Sequence, residues 1–429
     1  MKKFFKTIKT FFLRFFPCDS EDRLLFNILK VLLFVLVIMT VCALAYLCYA
    51  TANAITGNVT KFYDDMFRDF SQIGYYAVKR NAFSMENGSS YSAFFLLMMW
   101  PFAAIFKKDL DAMGVVQEFG EAENLIIISS YRFWIAFFLF YAVCFVLLYL
   151  VTRAFIKKHS LNVKGVFIVF LISGPALAML IRGNLLLPSL ILTMVFLCWY
   201  DSKNKVAAEF ALIALAVAGV LKIYPLVFGV FLLKDKKWFE IIRTALYFAL
   251  FYILPCFCFD GGFKVYLENL FGFSVVDNKF TSIKNMSFAG IVYKLIFLPL
   301  TALGVPEYAA FDWVCMALAL ALLAFIVVAA LVTRSYFKRC LLCVCALVLV
   351  PNVSYPYALI FTWIVFLTYF KDFSAHKTRT NFVFLILSCV TYLLPVCWYA
   401  QIIISVILIV LTFIAGVTAF KEKKLEVYT

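Results

Sequence analysis

Charge and histidine are what this sequence has least of. Asp, Glu, Lys and Arg make up only 15% of its 429 residues while hydrophobic residues make up 65%, whereas a soluble domain carries about 25% charged residues. A water-exposed surface of ordinary size is therefore excluded, and the mean hydropathy of +0.98 points to lipid as the solvent. The two histidines, His159 and His376, both fall in segments read below as cytoplasmic, so histidine catalysis on the outer face is not expected. No glycine-rich GxxxxGK[ST] loop occurs, which argues against nucleotide chemistry on the cytoplasmic side. Most of the thirteen cysteines, among them Cys42, Cys144, Cys198 and Cys315, lie inside apolar runs, where a thiol serves as a small buried hydrophobe. Neither a metal site nor a disulfide framework is expected from them. The net charge of +15 sits in short clusters between apolar runs. It reads as a topology signal, with no nucleic-acid partner expected.

What is present is a series of long hydrophobic runs. Segments able, or nearly able, to cross roughly 30 Å of hydrocarbon occur at 25–50, 130–152, 163–181, 185–200, 206–221, 225–233, 239–257, 309–332, 338–351, 356–370, 380–396 and 398–419. The expected fold class is all-α, a polytopic integral membrane protein of about twelve spans forming a single domain over 1–429. Of these runs 225–233, which opens at Pro225, is the weakest. Residues 1–24 alternate basic and aromatic side chains, as in an amphipathic helix lying on the cytoplasmic leaflet. A cleaved signal peptide is not expected, because the apolar run that follows is too long. Two large outer loops, 51–129 and 258–308, each carry a shorter apolar stretch, 91–106 and 287–302, read as interfacial helices. This arrangement places most Lys and Arg clusters inside and both termini in the cytoplasm, as the positive-inside rule favours. The expected location is a bacterial cytoplasmic membrane, with the chemistry on the non-cytoplasmic face. No internal repeat is evident.

Three kinds of residue stand out against this background. The first outer loop reads Lys61-Phe-Tyr-Asp-Asp-Met-Phe-Arg-Asp-Phe70, so Asp64, Asp65 and Asp69 follow the first span closely. A carboxylate there can act as general base on a hydroxyl within about 3 Å; the plain alternative is a solvated acidic loop. Arg182 and Lys222 each occupy a tight link between two apolar runs on the outer side, against the topological charge bias. An ionisable group at that depth is costly unless paired or working. The natural partner is the phosphate of a lipid carrier, and the alternative is a side chain snorkelling to headgroups.

Taken in order, these landmarks resemble the membrane-embedded GT-C glycosyltransferases, specifically glycosyltransferase family 87, whose members use polyprenyl-phosphate sugars. Asp69-Phe70 with Tyr75-Tyr76 resembles the opening of the family's first outer loop, and Tyr91 to Pro101 its aromatic interfacial helix. Arg182-Gly183-Asn184 is similar to its Gly-Asn link. Lys222-Ile-Tyr-Pro225, followed by Lys236-Lys237-Trp238, is similar to its Lys-x-x-Pro span and basic-Trp turn. Asn285-Met-Ser287 and Pro351-Asn-Val-Ser-Tyr355 complete the series. The chain departs from the family pattern at Tyr355-Pro356-Tyr357, where Trp and His are common, and at Asn81-Ala-Phe-Ser84, where Gly-x-x-Pro-Tyr is usual.

The resemblance implies an inverting transfer of a sugar, most simply mannose, from a polyprenyl-phosphate donor to a lipid or glycan acceptor. Asp69 would be the catalytic base, with Arg182 and Lys222 holding the donor phosphate. Asn184, Tyr224, Asn285 and Ser287 would orient sugar hydroxyls, unless they cap helices or bind loop backbone instead. No cofactor is implied beyond the lipid-linked donor. Asp64 and Asp65 alone make a poor divalent-cation site, so metal independence is expected. A flippase or transporter of lipid-linked sugar, or a polysaccharide polymerase or ligase, is the rival reading.

Overall fold

The computed structural model describes residues 66–85, 88–112, 119–156, 163–275, 285–304, 309–372 and 398–427. The expected amphipathic segment 1–24, the runs 25–50 and 380–396, Asp64, Asp65 and both histidines lie outside the described residues. Among the described residues all regular structure is helical. The longer helices are α1 Arg68–Val78, α2 Ala93–Ala103, α3 Glu121–Ile128, α4 Tyr131–Ile156, α5 Val163–Leu171, α6 Gly174–Arg182 and α7 Leu187–Trp199. They continue with α8 Lys205–Leu221, α9 Trp238–Ile253, α10 Gly262–Val275, α11 Ala309–Val332, α12 Tyr336–Leu349, α13 Thr362–Asp372 and α14 Trp398–Val427.

Among the described residues four stretches are long and apolar enough to cross a membrane, Tyr131–Ile156, Trp238–Cys258, Phe311–Val332 and Gln401–Lys421. Several of the remaining expected runs are interrupted, each for a local reason. The run 163–181 divides at Ser173, whose hydroxyl donates to the Phe170 carbonyl at 2.7 Å and accepts from Ala176 N–H at 3.3 Å. It closes α5 and opens α6, and Pro175 in the first turn has no N–H to bridge them. The run at 225–233 is a 3-10 turn, Tyr224–Gly229, followed by one α-turn, Val230–Lys234. In 287–302 a π-turn, Tyr293–Phe297, separates Phe288–Val292 from Leu298–Ala302, with Pro299 just beyond it.

The core is organised around α12, buried from Phe337 to Leu349 and packed against α11, α13 and α14. Cys340 and Cys343 stand there at CxxC spacing as buried thiols not joined in a disulfide. Two cations close the C-terminal end of α11, where carbonyls lack intrahelical partners. Lys234 donates to the Leu331 and Thr333 carbonyls at 2.6 and 2.9 Å, and Arg339 to Ala330 and Thr333, both at 3.2 Å. Helix α7 packs on α4 and α8, and α8 on α9. Helix α6 lies against the 3-10 turn Pro356–Phe361, while α1 meets α2, α3 and α6. That last set of contacts assembles the site.

Candidate active site

The start of α1 is anchored by aromatic packing. Phe70 is fully buried, with ring centroids 5.3 to 5.7 Å from Phe133, Phe137 and Phe140 of α4. Phe67 lies edge-on to Trp134 and Phe137 at 4.9 and 5.2 Å. Phe67 adopts a left-handed φ of 58°, an uncommon state for a bulky residue. Neighbours hold it there: its N–H donates to the Ile181 carbonyl at 2.8 Å, and Asn124 Nδ2 donates to the preceding Met66 carbonyl at 3.1 Å.

The end of α6 arrives opposite. Gly183 takes a left-handed φ of +67° and stops the helix, its N–H bonding Leu180 O while Asn184 N–H bonds Met179 O. A Cβ at Gly183 would lie 2.9 Å from Phe67 Cα, so glycine is required both by the turn and by the approach of α1.

This crossing creates a buried ion pair. Asp69, 6% exposed in the first turn of α1, accepts from Arg182 Nε at 3.0 Å through Oδ1 and from Asn184 Nδ2 at 2.5 Å through Oδ2. Its place near a helix N-terminus also favours negative charge. Asn184 is itself held, its Oδ1 accepting from Leu186 N–H at 3.1 Å and its carbonyl from the Tyr141 hydroxyl at 2.8 Å. A carboxylate offers about four lone-pair positions. Arg182 and Asn184 take one on each oxygen, and the remaining positions can accept a hydroxyl proton.

Lys222 follows α8 in an extended conformation, its N–H still bonded to Ala218 O at 3.1 Å. Its side chain is half-buried; burial lowers its pKa below the ordinary ammonium value, and the charge of Asp69 opposes that shift. The Asp69 charge also reaches Tyr91, at the entrance of α2, and Tyr357. Burial first, and Asp69 next, push the Tyr91 phenol up.

Tyr224 borders two cavities. A small cleft of about 30 Å³ is lined by Leu186, Lys222, Tyr224, Ser354 and Tyr357 among others. An apolar cavity of about 580 Å³ lies among α8, the 224–234 segment, α9, α11 and α12, and shares Tyr224, Leu347 and Pro351 with the cleft.

Asn285 and Ser287 are placed differently. Asn285 Oδ1 accepts from Ser287 N–H at 2.9 Å and Ser354 N–H at 3.0 Å, and its Nδ2 donates to the Asn352 carbonyl at 2.7 Å. Ser287 Oγ caps the following helix by accepting from Gly290 N–H at 3.0 Å, and donates to Asn352 O at 3.1 Å. Both residues shape the 351–354 turn, which lines the cleft.

Asp69, Arg182 and Asn184 are thus in direct contact, with Lys222 inside their electrostatic reach. Tyr141, Tyr357 and Ser354 belong to the same neighbourhood; Tyr141 was not singled out from sequence, and the other two stood in quoted motifs with no role assigned. Tyr141 lies in an aromatic-rich span, where one hydroxyl carries no signal, and the other two become neighbours only through the 3-10 turn after α12. No group of three His, Cys, Asp or Glu side chains among the described residues is arranged as a metal site, and Asp64 and Asp65 lie outside them.

Among the described residues the protein is all-helical, with four stretches long enough to span a bilayer and a buried carboxylate held between an arginine and an amide. The family model of glycosyltransferase family 87 matches residues 90–354, and the chain belongs to that family of membrane glycosyltransferases. The match contains Arg182, Asn184, Lys222, Tyr224, Asn285 and Ser287, whereas Asp69 precedes it. No curated protein and no solved structure matches the chain.

Proposed function

We propose that this glycosyltransferase moves a sugar, with mannose as the first candidate, from a polyprenyl-phosphate donor to a lipid or glycan acceptor with inversion at the anomeric carbon. The observation that carries the reading is the buried Asp69 carboxylate, bonded by Arg182 and Asn184 and within reach of Lys222. The acceptor oxygen bonds to the anomeric carbon, its proton passes to Asp69, and the bond from that carbon to the phosphate oxygen breaks. Charge then develops on the departing polyprenyl phosphate, where the Arg182 and Lys222 cations stabilise it with little reorganisation. In an oxocarbenium-like transition state the sugar itself carries most of the developing positive charge.

The apolar cavity beside Tyr224 supports a lipid-linked donor over a soluble one, since its lining is almost entirely hydrocarbon. In this reading Asn184 orients the base, and Tyr224 lies where lipid tail and headgroup meet. Asn285 and Ser287 act on the sugar through the turn they hold. The shorter apolar helices cross the bilayer in company with the four long ones, giving about twelve spans with both termini cytoplasmic and the site outside, in a bacterial cytoplasmic membrane. Membership in a glycosyltransferase family favours this reading over a transporter.

The test is transfer of labelled mannose from polyprenyl-phosphate-mannose to endogenous acceptors in membranes, comparing wild type with Asp69→Asn at equal expression. Loss of about 10²–10⁴-fold is expected for removal of a general base. Equal transfer by both proteins discards Asp69 as the base. Absence of transfer in both discards mannose from that donor.

A further inference from the structure

Both main-chain groups of Ser354 are committed. Its N–H donates to Asn285 Oδ1 at 3.0 Å, and its carbonyl accepts from Met286 N–H at 2.7 Å. With the backbone so held, only the hydroxyl can turn. That hydroxyl is buried, in a residue 4% exposed, and has no hydrogen-bond partner among the described residues. It does not cap the turn that follows, where Tyr355 occupies the N-cap position and no side chain makes a capping bond. A buried unmatched polar atom is uncommon in native proteins and calls for a cause.

The surroundings supply one. Ser354 lines the small cleft together with Tyr224, Tyr357 and Lys222, which among the described residues is the one charged residue in its wall. Some 30 Å³ accepts one or two water-sized groups and no sugar ring. A cation, a fixed hydroxyl donor and room for an oxygen or two suit a phosphate oxyanion. The cleft shares Tyr224, Leu347 and Pro351 with the apolar cavity, so an anion placed there would have hydrocarbon-lined space beyond that wall.

We propose that Ser354 is a phosphate ligand, its hydroxyl donating to a non-bridging oxygen of the lipid donor's phosphate while Lys222 supplies the opposing charge. This rests on the donor reading above and adds a residue to it. The rival source of the same chemistry is free phosphate.

The test is binding to the purified full chain in detergent, with a short-chain polyprenyl phosphate carrying no sugar and, separately, inorganic phosphate. Ser354→Ala keeps both main-chain bonds and removes an atom without a protein partner, so its thermal midpoint is expected at or above that of wild type. Loss of one hydrogen bond to a charged group corresponds to roughly tenfold weaker binding of the polyprenyl phosphate. Binding by Ser354→Ala equal to that of wild type overturns the Ser354 assignment and leaves the donor reading standing. A wild-type protein that binds no polyprenyl phosphate overturns both. Binding of inorganic phosphate as tight as that of the lipid, and equally dependent on Ser354, overturns the lipid part and makes the cleft a free-phosphate site.

Discussion

Asn184 and Asn285 carry the same chemical group into two parts of the molecule and use it differently. Both are buried, 7% and 1% exposed, and both stand next to a helix end. The Asn184 amide nitrogen is spent on a side chain, the Asp69 carboxylate, whereas the Asn285 amide bonds the backbone of 287, 352 and 354. One therefore bears on the carboxylate proposed as the base and the other on the path of the chain. The lesson is that a buried asparagine in a loop is defined by what it bonds: the same substitution should read out in rate at one site and in stability at the other.

The largest effect that would sharpen this contrast is expected at the backbone site. Asn285→Ala strands two N–H groups in the interior, at about 1–3 kcal/mol each, for roughly 3 kcal/mol in all. A clear drop in thermal midpoint in detergent is the measurement. An unchanged midpoint would mean that the 351–354 turn holds itself. Gly183→Ala comes next. It forces a Cβ to 2.9 Å from Phe67 Cα in a left-handed conformation, so about 2 kcal/mol of destabilisation is expected, with the α1–α6 crossing displaced. A Gly183→Ala protein as stable and as active as wild type would show that the crossing is not tight.

Asn184→Ala should show the opposite profile to Asn285→Ala. Transfer is expected to fall about thirtyfold in kcat, with donor KM changed little, because the base loses one of its two orienting bonds. Asn184→Ala strands one N–H, that of Leu186, so a smaller fall in thermal midpoint than for Asn285→Ala would support the division, and a larger one would reverse it. The smallest effect is expected for Tyr141→Phe, which deletes the hydroxyl bonded to the Asn184 carbonyl. A change of about 1 kcal/mol, seen as a few-fold loss of transfer, is the size of one ordinary hydrogen bond.

Much of the architecture was legible in the sequence because hydrophobicity is a local property summed over a window. The runs at 130–152, 239–257, 309–332 and 398–419 all correspond to helices long enough to span. Where that reading ran too smoothly, the breaks came from single residues. Ser173 caps two helices at once, and Pro225 and Pro299 withhold an N–H, effects that an average over twenty residues conceals. The candidate site was legible in part for a related reason. Arg182 and Lys222 stood out as charges where apolar sequence was expected, and Asp69 through its order relative to them.

What sequence by itself determined is the solvent of this protein, its all-helical class and the cost-bearing polar residues that had to be doing something. Only the tertiary structure decided which of them meet. Asp69 and Asn184 are 115 residues apart, and their contact depends on Phe67 and Gly183 both adopting left-handed backbone at one crossing. Ser354 lines the Lys222 cleft with its backbone held by Asn285 and Met286, residues nearly seventy positions away. Hydrogen bonds and ion pairs act over about 3 Å, a range set by packing between distant segments, and that packing is not written in any one of them.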